Sequence, residues 1–192
     1  GTWKDTIAWG GITGSTTTMI TFYQGSGSSP TLTNLSNTAG TVNAFEGSLE
    51  GISSMLTFNG DWYFATQKTN TASIFVSRSN IMAAVVNNVA RVPHGTSGRI
   101  TTGDGSSYID GIILASYNGK LYAGAQTSSS DGKGALYEYG GNLGAAGSQF
   151  TLINGTRGTF GAETGIDSIS AMIEYNGKLY IGTDDLTNGK AS

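Results

Sequence analysis

Three times along the chain a pair of carboxylates stands just ahead of an apolar run: Glu46 and Glu50, Asp104 and Asp110, Glu163 and Asp167, four to six residues apart. Carboxylates at this spacing in Gly-rich sequence suit three tasks. They can accept the backbone N–H groups of a turn, ligate Ca²⁺ through oxygen, or hydrogen-bond sugar hydroxyls. An active site is a unique break in a repeat, whereas these acids are the repeat. Glu50, Asp110 and Asp167 therefore read as fixings of their own turns and of the links between units. Asp184-Asp185 is different, because the matching positions carry Gln126-Thr127 and Gln67-Lys68. Adjacent acids in a polar turn are the chain's candidate Ca²⁺ ligands. They lack the Asp-x-Asp-x-Asn spacing of a calcium loop, and a solvated turn is the simpler reading.

His94 is the single histidine, and Pro93, Gly95 and Thr96 around it describe an exposed turn. No nucleophile elbow accompanies it. A glycosidase needs only two carboxylates, but the acids on offer are the recurring ones, so the expectation is a protein that is not an enzyme. No cofactor is expected, with Ca²⁺ the one ion the turns suit. Aromatic residues are the other source of chemistry. Tyr63, Tyr122, Tyr180 and Trp9 recur at one position and read as packing between units, each hydroxyl reaching a polar partner at the edge. Tyr108, Tyr137 and Tyr139 recur less. With Asp131 they are the expected exposed residues of a sugar-binding surface. Asn34-Leu35-Ser36 and Asn154-Gly155-Thr156 match the glycosylation acceptor pattern, at a frequency that chance explains in a chain this rich in Asn, Ser and Thr.

What must position these residues is a recurring hairpin. Tyr117-Asn118-Gly119-Lys120-Leu121-Tyr122-Ala123-Gly124 returns as Tyr175-Asn176-Gly177-Lys178-Leu179-Tyr180-Ile181-Gly182, and a looser copy runs from Phe58 to Ala65. The Asn-Gly pairs begin at Asn59, Asn118 and Asn176, so the period is 59 and then 58 residues. Asn-Gly between alternating apolar runs signals a two-residue type I′ turn, which needs positive φ at both positions. A fixed period of this length means one supersecondary unit used repeatedly.

Laid out on that period, the chain divides into a partial unit at 1–49, units at 50–109 and 110–167, and a partial unit at 168–192. The first opens one strand late, with strands at 3–12, 19–23 and 31–35. The second has strands at 51–58, 61–67 and 72–77 and a weaker segment near 85–92. The third has strands at 112–117, 120–125, 135–139 and 149–153. The last begins at 169–175 and 178–182 and stops where a third strand should begin.

Four short antiparallel strands per unit match a propeller blade. On Phe58–Ala65, Tyr117–Gly124 and Tyr175–Gly182 the chain resembles the β-propeller superfamily, with kelch-like or lectin-like blades. The fold implied is all-β: a propeller-like array of four-stranded antiparallel units, incomplete within this chain. The competing arrangement is a sandwich or stack of sheets built from the same hairpins. A propeller has four to eight blades and open strand edges are normally hidden, so the resemblance implies further blades of the same polypeptide, or other protein chains, as partners.

The composition narrows the function. Charged residues are 12% of the chain, about half the usual share, and Gly is 30 of 192. A net charge of −3 offers no positive field for phosphates, and no apolar run of membrane-spanning length is present. Neither nucleic acid nor membrane insertion is expected. Cysteine is absent, so disulfides and thiolate metal sites are excluded. This Gly/Ser/Thr/Asn-rich, cysteine-free, repeat-built chain resembles the β domains of phage tail fibres, virion proteins and bacterial surface proteins. The resemblance implies a non-catalytic structural or receptor-binding module, extracellular, at a cell surface or on a virion. The alternatives are a multivalent propeller lectin binding glycans and a fragment of a secreted glycoside-active enzyme.

Overall fold

The computed structural model describes residues 6–10, 20–24, 31–34, 50–70, 72–77, 89–91, 109–127, 134–141 and 149–191. Every regular element among them is a strand, and they pair in sequence order. β1 (Thr6–Gly10), β2 (Ile20–Gln24) and β3 (Thr31–Asn34) form the first sheet. The second is a four-stranded meander of β4 (Gly51–Phe58), β5 (Asp61–Gln67), β6 (Ile74–Ser77) and β7 (Val89–Arg91). The third repeats it with β8 (Gly111–Tyr117), β9 (Lys120–Gln126), β10 (Leu136–Tyr139) and β11 (Phe150–Leu152). A two-stranded hairpin, β12 (Thr159–Phe160) and β13 (Glu163–Thr164), leads to the fourth sheet. That sheet consists of β14 (Ser168–Tyr175), β15 (Lys178–Asp185) and the short β16 (Lys190–Ala191). Among the described residues all pairings are antiparallel, and no closed ring or barrel is seen.

The three hairpins form for the reason their sequence gives. Asn59, Asn118 and Asn176 adopt φ of 50°, 49° and 49°, and the glycines after them 83°, 71° and 69°. Left-handed backbone at two consecutive residues matches the right-handed twist of the flanking strands. The registers Phe58↔Asp61, Tyr117↔Lys120 and Tyr175↔Lys178 follow at once.

Register also places the acids. Gly51 pairs with Gln67, Gly111 with Gln126, and Ser168 with Asp184, so Glu50, Asp110 and Asp167 occupy one equivalent position, the residue before the first strand. The count from acid to Asn is nine, eight and nine residues. β4 and β14 each carry a bulge, at Ser53 and Ser170, whereas β8 pairs without interruption. The Ser53 bulge has a use. Its hydroxyl donates to the Ile112 carbonyl at 2.7 Å and accepts the Ile112 N–H at 3.1 Å, while Ser54 Oγ accepts the Leu114 N–H. The extra residue thus turns a side chain toward the next sheet's first strand.

Consecutive sheets stack through these first strands: β1 lies against β4, β4 against β8, and β8 against β14. Alternation assigns the faces. Tyr63 and Ala65 of β5 meet Ile112 and Leu114 of β8, Leu121, Ala123 and Ala125 of β9, and Tyr137 and Tyr139 of β10 in one continuous core. The opposite face of β9 carries Tyr122 against Ile169, with Leu179 and Ile181 of β15 beside them. Burying one such side chain fully stabilises by roughly 1.5–3 kcal/mol, so stacking rather than any single sheet holds the molecule together.

The connection before the fourth sheet differs from its sequence reading. The sequence placed no strand between 153 and 169, but the stretch contains the β12–β13 hairpin, with Gly161 at φ 61° in its turn. Two-residue strands carry too little alternation to be visible in sequence.

Candidate functional site

Glu50, Asp110 and Asp167 are each engaged with the turn that leaves the second strand of a sheet. Glu50 Oε1 accepts the Thr69 N–H at 3.2 Å and the Thr69 hydroxyl at 2.8 Å. Asp167, fully buried, accepts the Leu186 N–H at 2.7 Å and the Thr187 N–H at 3.3 Å through Oδ2. Asp110 Oδ1 accepts the Asn70 N–H at 2.6 Å, in the preceding sheet. Sequence pointed to each acid's own turn, but the register sets Glu50, Asp110 and Asp167 near the end of a second strand, and the turn that leaves it supplies the N–H groups. Backbone bonds reinforce the junction: Lys68 and Ala72 donate to Asp110 and Ile109, and Gly134 donates to Ile166.

Asp184 and Asp185 part company. Asp185 Oδ1 accepts the Asn188 N–H and its Oδ2 the Asn188 Nδ2, closing the β15–β16 turn. Those bonds hold the Asp185 carboxyl below the usual carboxylate range. The two acids therefore do not converge on one point, and among the described residues no group of three or more His, Asp or Glu side chains is placed to hold a metal.

Two expectations of exposure are corrected. Tyr137 and Tyr139 are buried, the first completely, because both point into the stacked face of the third sheet. The Tyr137 hydroxyl accepts from Arg157 Nη1 at 2.9 Å, and the Tyr139 ring packs on Tyr63 and Phe150. Neither can stack a sugar. Tyr108, Asp131, His94, Glu46 and Asp104 lie outside the described residues. Asn154 is spent on structure: its Oδ1 accepts the Leu136 N–H and its Nδ2 donates to the carbonyls of Thr156 and Thr159.

Sequence reasoning named Asp184 as a candidate ligand and Gln67 and Gln126 as its matching positions, but it did not bring the three together. Gln67, Gln126 and Asp184 are equivalent positions of three consecutive sheets, each opposite the first residue of its sheet. All three line one cavity of about 260 Å³, together with Asp110, Gly111, Thr127, Ser168 and Leu186. Their side chains make no hydrogen bond to any described residue. Gly111 makes room for one of them, since a Cβ there would lie 2.5 Å from Gln126 Oε1. The available signal was their common offset of eight residues from each Asn-Gly turn.

No family model and no curated protein matches the chain. Its chemistry has to be argued from this geometry alone.

A second surface stands out. Alternation places Ala171, Ile173, Tyr175, Tyr180 and Gly182 on the outer face of the fourth sheet, and Ile173, Tyr175 and Tyr180 are 64%, 63% and 50% exposed. Their counterparts on the third sheet, Ala115, Tyr117 and Tyr122, lie beneath β14, and Ala115 and Tyr122 are buried. The aromatic pair itself is kept: Tyr117–Tyr122 and Tyr175–Tyr180 both have ring centroids 6.3 Å apart.

Proposed function

We propose that the chain is a non-catalytic structural and binding module of a larger propeller-like β assembly, acting outside the cell or on a virion. The observation that supports this reading is the outer face of the fourth sheet. It repeats, at Tyr175, Tyr180 and Gly182, the Tyr117, Tyr122 and Gly124 of a face that the next sheet covers elsewhere in the same molecule, with Ile173 standing where that face has Ala115. At the covered junction Ile169 lodges over Gly124, where a Cβ would come within 2.7 Å of Ile169 Cγ2, and the Tyr117 hydroxyl donates to the Gly177 carbonyl at 2.9 Å. Gly182 is the equivalent socket, and a Cβ there meets only its own sheet, at 3.5 Å or more. The occupant that fits is a further sheet of the same repeat, with an Ile over Gly182 and an Asn-Gly turn under the Tyr175 hydroxyl.

The test is light scattering across a concentration series, paired with an apolar-dye assay, on the wild type and on Ile173→Lys. The expected result is self-association or strong dye binding that Ile173→Lys removes. A wild-type chain that stays monomeric and binds no dye overturns the reading.

A further inference from the structure

We infer that the cavity at the ends of the second strands is a binding site for a small neutral polyhydroxylated ligand, of the size and chemistry of one pyranose ring. The molecule sorts its recurring polar residues into two sets. Glu50, Asp110 and Asp167 have carboxylate oxygens committed to backbone N–H groups. Gln67, Gln126 and Asp184 occupy an equally regular position, yet among the described residues their side-chain groups have no hydrogen-bond partner, and they line one space. Polar groups left without protein partners and gathered around a cavity are ready for hydrogen bonds from outside the protein.

The lining selects the ligand class. A carboxamide both donates and accepts, which matches a hydroxyl that does the same, and a carboxylate accepts from hydroxyls. Thr127 is held in place by donating its own hydroxyl to the Asp167 carbonyl at 2.8 Å. Among the described residues no Lys or Arg lines the cavity, and Asp110 and Asp184 give it negative charge, so an anionic ligand is disfavoured. Among the described residues Leu186 is the one sizeable apolar side chain on the wall, and none of them brings an aromatic ring for stacking. The cavity also lies just under the roughly 300–1,000 Å³ of pockets for drug-sized molecules. A single ring held by directional hydrogen bonds, at millimolar affinity, is what these features support. Ca²⁺ would need six to eight converging oxygens, and Asp110 already gives one of its oxygens to Asn70.

The experiment follows the side-chain amide resonances of Gln67 and Gln126 in ¹⁵N-labelled full chain during titration with neutral monosaccharides, with CaCl₂ as a separate arm. Saturating shifts of both amides with at least one monosaccharide are expected. Gln126→Ala and Asp184→Ala should each weaken binding about fivefold, the loss of one net hydrogen bond. Gly111→Ala should weaken it too, by displacing Gln126, with Gln67→Ala as the variant that leaves the packing untouched. Ile173→Lys should bind normally, which separates this site from the assembly surface. Amides that move with no monosaccharide, or with CaCl₂ alone, overturn the inference.

Discussion

The third and fourth sheets contain the same six residues, Tyr-Asn-Gly-Lys-Leu-Tyr, in the same type I′ hairpin, and yet they live in different surroundings. Asn118 and Asn176 share φ of 49°, and both turns close across two residues. Tyr122 is 7% exposed and Tyr180 is 50%. Backbone geometry is thus written into the hexapeptide, while burial is conferred by whichever sheet comes next. Substitutions that remove local geometry should act alike in the two copies, and those that remove packing should not.

The largest contrast is expected at the leucines. Leu121 is fully buried in the main core, whereas Leu179 is only partly covered. Leu121→Ala should lower unfolding free energy by about 3 kcal/mol, in the range for core truncations, and Leu179→Ala by about 1 kcal/mol. Urea unfolding of both variants measures this, and equal losses would mean that Leu179 is packed against the third sheet as tightly as Leu121 is in the main core. The facing glycines reverse the direction of change. Gly124→Ala drives a Cβ into the branched end of Ile169 and should destabilise by about 2 kcal/mol, as overpacking does. Gly182→Ala meets ordinary contact distances and should be neutral in the isolated chain.

Turn substitutions are the control. Gly119 and Gly177 have open space where a Cβ would go, so Ala meets no clash and only the left-handed backbone opposes it. Each should cost about 1 kcal/mol, the penalty of that region for an L-residue. Thermal melts of Gly119→Ala and Gly177→Ala should superimpose. A divergence would show that the hairpin depends on its neighbours, which would break the comparison at its base.

The same contrast explains what could be read from sequence. Asn-Gly between alternating apolar residues fixes turn, register and strand limits locally, so the meanders of the second and third sheets were legible. The weaker segment near 85–92 contains β7, and β16 forms where a third strand was due. The repeat suggested a propeller-like array, and the described residues form several antiparallel sheets with no closed ring among them. Tyr137 and Tyr139 were misread as exposed. In a stacked sheet both faces are covered, and a tyrosine that recurs poorly can still point inward. The acids were recognised as structural, but their partners lie 19 residues further along the chain or in another sheet, and only pairing register connects them. The equivalence of Gln67, Gln126 and Asp184 was legible, but their shared cavity was not, because Gln, Gln and Asp at one offset look like ordinary strand ends until the sheets stack.

The smallest effect is electrostatic and belongs to the third sheet. Lys120 Nζ donates to Glu138 Oε1 at 2.7 Å and the Tyr122 hydroxyl donates to Oε2 at 3.2 Å, whereas Lys178 meets no carboxylate among the described residues. The hydrogen bond from Lys120 holds the Glu138 carboxyl below its usual value of 4.5, and the same bond raises Lys120 above 10.5. A lowered acid contributes stability above its unfolded pKa and loses it as pH falls through the folded value. A raised base contributes below its unfolded pKa and loses it as pH rises through the folded value. The melting-temperature difference between wild type and Glu138→Gln should therefore be flat across neutral pH and shrink at both extremes. It should be small throughout, because solvent screens an exposed pair, and it should fall further in salt. Lys178→Gln should show no such profile. A Lys178→Gln profile matching that of Glu138→Gln would place a carboxylate opposite the outer hairpin, and with it a neighbour on the open face.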